Sequence, residues 1–120
     1  MKNIRNWNIF VDANVIIDYV LYRKYNTANA NALFEYAPKY SVRLYICSYT
    51  LAIAYHYLRD ANVPHKNAID ALDRLFHEVK CLPVDDVIIK QAMKSDFKDF
   101  EDAIQYHCAL QIGKCEAIIT

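Results

Sequence analysis

A short apolar run that ends in an aspartate and passes directly into a helical pattern is the feature that most limits the fold. The run is Ile9–Val11, the aspartate is Asp12, and apolar residues resume at Val15. Such a strand-to-helix junction is typical of parallel α/β sheets, in which the carboxyl ends of the strands face the ligand crevice. A carboxylate there can bind a hard divalent cation through oxygen. It can equally cap the helix, since Asp12 or Asn14 would accept hydrogen bonds from free backbone N–H groups.

Short apolar strands alternate with helical stretches along the whole chain. The predicted strands cover residues 7–11, 44–47, 79–83 and 117–119, and the predicted helices cover residues 14–22, 27–37, 48–58, 64–76, 85–93 and 100–112. This alternation predicts an α/β fold, namely a three-layer α/β/α sandwich with a short central parallel sheet. The last strand runs into Thr120 with no closing element. We therefore expect a single domain over residues 1–120 that is truncated at the C-terminus and lacks its final element.

Capping residues and prolines set the expected helix ends. Three residues are predicted to cap the helices that they precede, namely Thr27, Ser48 and Asp85. Pro38 is expected to end the second helix, and Pro64 is expected to mark the start of the fourth. The polar stretch 23–26 predicts a break between the first two helices.

The composition limits the class of protein and its partners. Hydrophobic residues make up 55% of the chain and there is one glycine, which indicates a packed, helix-rich globule. The 14 basic and 14 acidic residues cancel, which argues against a broad basic face for nucleic acid but leaves room for a local basic rim or an acidic pocket. The four cysteines form no C-x-x-C pair, so we interpret them as small core residues of a protein in the reducing cytoplasm. No apolar stretch approaches the length of a membrane span, so no membrane partner is expected.

A second acidic cluster lies within residues 96–102. Asp99 with Asp102 three residues later resembles a capping box, and acids in a first helical turn also complement the helix dipole. Capping needs only one or two carboxylates, so it leaves the density of acids unexplained. Apolar residues follow Asp102 at Ala103 and Ile104, which places Asp102 on or beside the face that docks on the sheet. A carboxylate there requires a partner, and a metal ion shared with Asp12 would supply one.

Four segments together resemble a known family. They are Phe10-Val11-Asp12-Ala13-Asn14-Val15, Ile46-Cys47-Ser48, Asp99-Phe100-Glu101-Asp102-Ala103-Ile104-Gln105 and Ala117-Ile118-Ile119-Thr120. In order and spacing the chain resembles a bacterial PIN domain over essentially its whole length. The resemblance implies a small α/β/α sandwich and a metal-dependent ribonuclease similar to the toxin halves, of VapC type, of toxin–antitoxin pairs.

The resemblance also implies roles for individual residues. Asp12, Asp99 and Asp102 would be the catalytic residues and the ligands of Mg²⁺ or Mn²⁺, the one cofactor expected. Asn14, Ser48 and Glu101 would support them, with Asn14 holding the turn after the first strand. The implied partners are RNA as substrate, an antitoxin protein and a second copy of the chain in a homodimer.

Two departures from the family pattern keep a second function open. Active members usually carry a glutamate in the helix after the second strand, whereas residues 50–55 contain no acid. The acid expected just beyond the last Thr is also missing, because the sequence stops at Thr120. One Mg²⁺ can still be held by one or two carboxylates, but a two-ion site would be under-supplied. The chain is therefore either a PIN-type endoribonuclease or a catalytically impaired PIN-fold binding or regulatory module. A flavodoxin-like phosphate binder is disfavoured, because Gly113 is the only glycine.

Overall fold

The computed structural model of the protein describes residues 4–21 and 27–120. Within those ranges the chain forms four strands and six helices. In chain order they are β1 (Asn8–Val11), α1 (Ala13–Leu21), α2 (Thr27–Lys39), β2 (Arg43–Cys47), α3 (Ser48–Asp60), α4 (His65–Glu78), β3 (Lys80–Leu82), α5 (Asp86–Lys94), α6 (Phe100–Ala109) and β4 (Ala117–Ile119).

The four strands form one parallel sheet in the order β3-β2-β1-β4. Ile9 of the central strand β1 is in register with Leu44 on one side and with Ala117 on the other. Because all strands run in the same direction, the residues that follow their last positions lie at a common edge of the sheet. Asp12, Ser48 and Thr120 each follow the end of a strand directly.

Alternating side chains give the sheet two buried faces, as the pleat of a strand requires. Ile9 and Val11 point to the face covered by helices α1 to α4, and their core cluster includes Ile16, Phe34, Ala37, Leu44, Ile46, Ala54 and Leu75. Phe10 points to the opposite face, where it packs with Cys47 and with Cys108, Ala109 and Ile112, the last three from α6 and the segment after it. The predicted three-layer α/β/α sandwich is confirmed.

Helix α6 crosses the sheet from the carboxyl ends of the strands to their amino ends. Midway along the helix, the side chain of Gln105 accepts from the backbone N–H of Ala13, the first residue of α1. After its end, the chain returns to the beginning of β1, where Glu116 N donates to Asn8 O at 2.9 Å and Glu116 Oε2 accepts from Asn8 N at 2.6 Å. This path places the acidic N-terminal turn of α6 beside Asp12.

The predicted helix ends are confirmed in part. Asp85 caps α5 by accepting from Ile88 N at 2.9 Å, and Pro64 is the residue that precedes α4. The predicted cap at Ser48 is wrong, because β2 runs directly into α3 and Cys47 occupies the cap position without a side-chain bond. Pro38 lies inside α2, which ends one residue later at Lys39.

Two expectations concern parts of the chain outside this description. The predicted polar break at residues 23–26 and the side chain of Thr27 lie outside the described residues.

No helix in the described ranges is long and apolar enough to cross a membrane.

Candidate active site

Asp12 is held in place at the end of β1 by bonds from three directions. Its backbone N–H donates to Ile119 O of β4 at 2.9 Å. Its Oδ1 accepts from Asn14 N at 3.0 Å and from Gln105 Nε2 at 3.4 Å. The side chain is 9% exposed. The bond from Asn14 N is a helix cap, so the capping interpretation of Asp12 is confirmed. Capping does not exclude metal binding, because a carboxylate has two oxygens and about four acceptor positions.

Gln105 is a positioning residue to which the sequence pattern assigned no role. It lies on α6, is 7% exposed, and its Oε1 accepts from Ala13 N at 2.8 Å while its Nε2 donates to Asp12. One amide therefore orients the first turn of α1 and the carboxylate of Asp12 together. A sequence signal exists: Gln105 is a long polar side chain among the buried residues Ala103, Ile104, Cys108 and Ala109, where a polar group must have a partner.

Asp102 is exposed and lies within electrostatic range of Asp12. Its pKa is raised above the usual value, chiefly because partial desolvation disfavours the charged form, and further by the negative charges of Asp99, Asp12 and Glu101. Acids from two distant parts of the chain thus act on one another. A cation bound among them would relieve this repulsion, which is the electrostatic condition for a metal site.

The other two acids of the cluster already have partners in the protein. Asp99 is the N-cap of α6, and its Oδ1 accepts from Asp102 N at 3.1 Å. Glu101 Oε1 accepts from the Tyr49 hydroxyl at 3.1 Å, which joins α6 to the first turn of α3. The pKa of Tyr49 is raised, first by desolvation and then by this bond to a carboxylate. Asp99 is therefore a helix cap whose second oxygen, Oδ2, is not used by the cap bond, so the structure is compatible with Asp99 as a metal ligand as well.

The remaining predicted site residues lie at the same edge of the sheet. Asn14 is exposed in the first turn of α1, and Ser48 is exposed at the first position of α3. Helix α3 turns Thr50 and Ala54 into the core, where both are fully buried. The segment in which active relatives usually carry an acid thus provides packing here, and Tyr49 is the α3 residue that reaches the acidic cluster.

The donors that Asp12 and Asp102 provide are of a type that suits one hydrated metal ion. Within residues 4–21 and 27–120, no three His, Cys, Asp or Glu side chains lie close enough together to hold a metal ion. The carboxylates of Asp12 and Asp102 are hard oxygen donors, and Mg²⁺ is commonly bound through one or two carboxylates with water completing its shell.

All four cysteines are free thiols in the structure. Cys47 and Cys108 are buried, whereas Cys81 and Cys115 are half-buried. A hydrogen bond donated to Cys47, and after it burial, raise the pKa of the Cys108 thiol.

Comparison with known proteins gives a family and a fold. A family model described as PIN domain matches residues 8–120. No curated protein sequence matches the chain. Among solved structures, the chain is similar to Mycobacterium tuberculosis VapC20, described as a toxin that cleaves the sarcin-ricin loop, with a TM-score of 0.70, 21% identity, and coverage of 91% of this chain and 86% of that chain. At this identity the likeness concerns the fold. Because the family model spans nearly the whole sequence, the chain belongs to the PIN domain family.

Proposed function

We propose that the protein is a metal-dependent endoribonuclease of PIN type, the toxin component of a toxin–antitoxin pair or a related RNA-processing nuclease. The observation that carries the proposal is geometric: Asp12 follows β1 directly, and the bond from Gln105 of α6 to Ala13 N holds the acidic start of α6 at the same end of the sheet. The charge of Asp12 also contributes to the raised pKa of Asp102. Membership of the PIN family and the fold shared with VapC20 support the same activity. The proposed metal is Mg²⁺ or Mn²⁺.

In this proposal Asp12 and Asp102 would hold the ion, with Asp99 as the neighbouring acid of the set. A bound divalent ion would supply a water of lowered pKa and would neutralise charge on the phosphodiester. Gln105 fixes the orientation of Asp12 through its bond to Oδ1. Tyr49 holds Glu101, which keeps the charge of that acid at the rim of the cluster. Asn14 and Ser48 are exposed beside Asp12 and can donate hydrogen bonds to substrate phosphate oxygens.

An RNA cleavage assay tests the proposal. Single-stranded RNA is incubated with the protein in Mg²⁺, in Mn²⁺ or in EDTA, and the products are resolved by length. We expect cleavage in the metals, no cleavage in EDTA, and a loss of at least a hundredfold in Asp12→Asn and Asp102→Asn, since each substitution removes a charged ligand. Asp70→Asn, a matched change on the exposed face of α4, serves as the control and should cleave like the wild type. Cleavage that persists in EDTA or in Asp12→Asn would contradict the proposal.

A second function is favoured by one observation, the absence of an acid from the segment of α3 that packs into the core. A PIN-fold module that binds RNA or a protein without cleaving it would need no complete ligand set. RNA binding without cleavage, together with a melting temperature that does not change on adding Mg²⁺ or Mn²⁺, would identify this function.

The proposed partners are RNA, an antitoxin protein and a second copy of the chain, and the proposed location is the cytoplasm. Analytical ultracentrifugation of the purified chain measures its mass in solution and so tests the homodimer. Co-expression with the neighbouring open reading frame, followed by copurification, tests whether its product binds the chain as an antitoxin would.

A further inference from the structure

We propose that a cavity beside Asp12 is the binding pocket for one nucleobase of the RNA and that it prefers bases carrying an amino group. The cavity has a volume of about 440 Å³ and lies between α1, α2 and the end of β4. Its described lining residues are Asn14, Val15, Asp18, Asn29, Ala30, Leu33, Ile119 and Thr120. This inference rests on the proposed function, because it assigns a substrate contact next to the proposed cleavage site.

The position of the cavity is fixed by two of its lining residues. Asn14 is bonded through its backbone N–H to Asp12 Oδ1 at 3.0 Å, and Ile119 O accepts from Asp12 N at 2.9 Å. The cavity therefore begins at the immediate bonding partners of Asp12. A nucleotide whose phosphate lies at Asp12 would have its base within reach of the cavity.

The lining has the composition of a site for a flat, largely apolar ring with polar edges. Four side chains give apolar walls, namely Val15, Ala30, Leu33 and Ile119. A small number of polar groups among apolar walls is typical of ligand pockets, because the walls bury the ring and the polar groups fix its orientation. RNA bases bound by proteins are usually turned out of the stack and hydrogen-bonded on their edges in this way.

The polar groups of the cavity can distinguish one base from another. The amides of Asn14 and Asn29 each present a donor and an acceptor, which is the pattern that pairs with an adenine edge. The carboxylate of Asp18 is a pure acceptor, which suits the exocyclic amine of cytosine or adenine and not the carbonyl oxygens of uracil. Asp18 is 7% exposed and already has an interaction within the protein. A carboxylate has two oxygens and about four acceptor positions in all.

An arginine side chain from a protein partner is the main competing occupant. Arginine is usually bound by carboxylates in bidentate pairs. Among the described residues one carboxylate lines the cavity, against two amides, and amides match the edge of a base better than a guanidinium. The donor set therefore favours a base.

Equilibrium binding of short oligonucleotides tests the pocket without using cleavage. The probes are fluorescein-labelled hexamers of adenylate, cytidylate and uridylate, and affinity is measured by anisotropy in EDTA. We expect the wild type to bind the adenylate and cytidylate hexamers more tightly than the uridylate hexamer, and Asn29→Ala to lose about tenfold of that affinity while uridylate binding changes less than twofold. Asn29 is exposed, so its truncation should not unfold the domain. Asn67→Ala, an exposed asparagine on α4, is the matched control and should change no affinity.

Asp18→Asn supplies a second variant with a different signature. An asparagine at this position adds donors that can pair with the carbonyls of uracil, so the preference should shift toward the uridylate hexamer. If the wild type binds all three hexamers with equal affinity, and Asn29→Ala does so too, the proposal of a base pocket is overturned. Binding of N-acetylargininamide that depends on Asp18 but not on Asn29, without any base preference, would overturn it in favour of a protein partner.

The outcome is separable from that of the cleavage assay. Cleavage without base preference leaves the nuclease proposal standing and removes the pocket. Base preference that Asn29→Ala abolishes, without cleavage under any metal condition, supports the pocket in a PIN-fold binding module and removes the nuclease.

Discussion

Replacing Gln105 by leucine should destabilise the protein because its amide bonds both the backbone of Ala13 and the carboxylate of Asp12. Gln105 Oε1 accepts from Ala13 N at 2.8 Å, and Gln105 Nε2 donates to Asp12 Oδ1 at 3.4 Å. The first bond is short and buried, whereas the second is long, so the first carries most of the energy. Leucine has a similar volume, so the substitution removes the hydrogen bonds with little change in packing.

The size of the effect follows from the donor that is left behind. A buried N–H group without a partner costs about 1–3 kcal/mol. For a chain of 120 residues, an unfolding entropy of about 2.1 cal/mol/K per residue converts 2 kcal/mol into a fall of about 8 °C in melting temperature. The cleavage rate should fall as well, because Asp12 loses the partner that orients its carboxylate.

Urea denaturation followed by circular dichroism measures the free energy of unfolding, with the slope m compared between variants. Gln91→Leu is the matched control: Gln91 is exposed on α5, so its replacement should change the free energy of unfolding by less than about 0.5 kcal/mol. Equal midpoints for Gln105→Leu and the wild type would refute the argument that this amide holds the start of α1 in place.

Two further predictions concern Asp99 and Asp102 at the start of α6, and the first compares Asp99 with Asp85, the cap of α5. Asp99 and Asp85 cap their helices in the same way, by accepting from Asp102 N at 3.1 Å and from Ile88 N at 2.9 Å, so Asp99→Ala and Asp85→Ala should each cost about 1 kcal/mol. If Asp99 also acts on the metal, only Asp99→Ala should reduce the rise in melting temperature produced by Mn²⁺, and equal responses would limit Asp99 to capping. Because the pKa of Asp102 is raised in the folded state, the folded protein binds a proton more readily than the unfolded chain, and the ionised group opposes folding at neutral pH. Asp102→Asn should therefore raise the urea midpoint at pH 7, and its advantage over the wild type should shrink as the pH falls through the pKa of Asp102. A lower midpoint for Asp102→Asn at pH 7 would contradict this sign.

Features set by neighbouring residues could be predicted from the sequence, and features set by packing could not. The turn at Asp12 and the cap at Asp85 depend on residues within a few positions, so both were predictable. Ser48 was predicted as a cap because it is a hydroxyl residue before a helical pattern. In the structure the cap position is Cys47 and Ser48 is the first helical residue, because β2 needs no intervening turn to enter α3.

The supporting contacts of the site join parts of the chain that are far apart. Gln105 and Ala13 are 92 residues apart, and Tyr49 and Glu101 are 52 residues apart. A single sequence shows that a glutamine lies on an apolar helix face, but not which backbone group it meets. The cavity at Asn29 depends in the same way on how α2 packs against α1, which no local pattern specifies.

Asp12 combines a structural and a proposed chemical role in one carboxylate, and this decides which variant can test the site. Asp12→Ala would remove the helix cap together with the proposed metal ligand, at a cost of about 1 kcal/mol, so lost activity would have two explanations. The two side-chain bonds of Asp12 both go to Oδ1. Asparagine retains one carbonyl oxygen at that position and is as good an N-cap as aspartate. Asp12→Asn therefore preserves the bonds from Asn14 and Gln105 while removing the negative charge, and a loss of cleavage without a loss of stability in this variant would assign the chemistry to the charge.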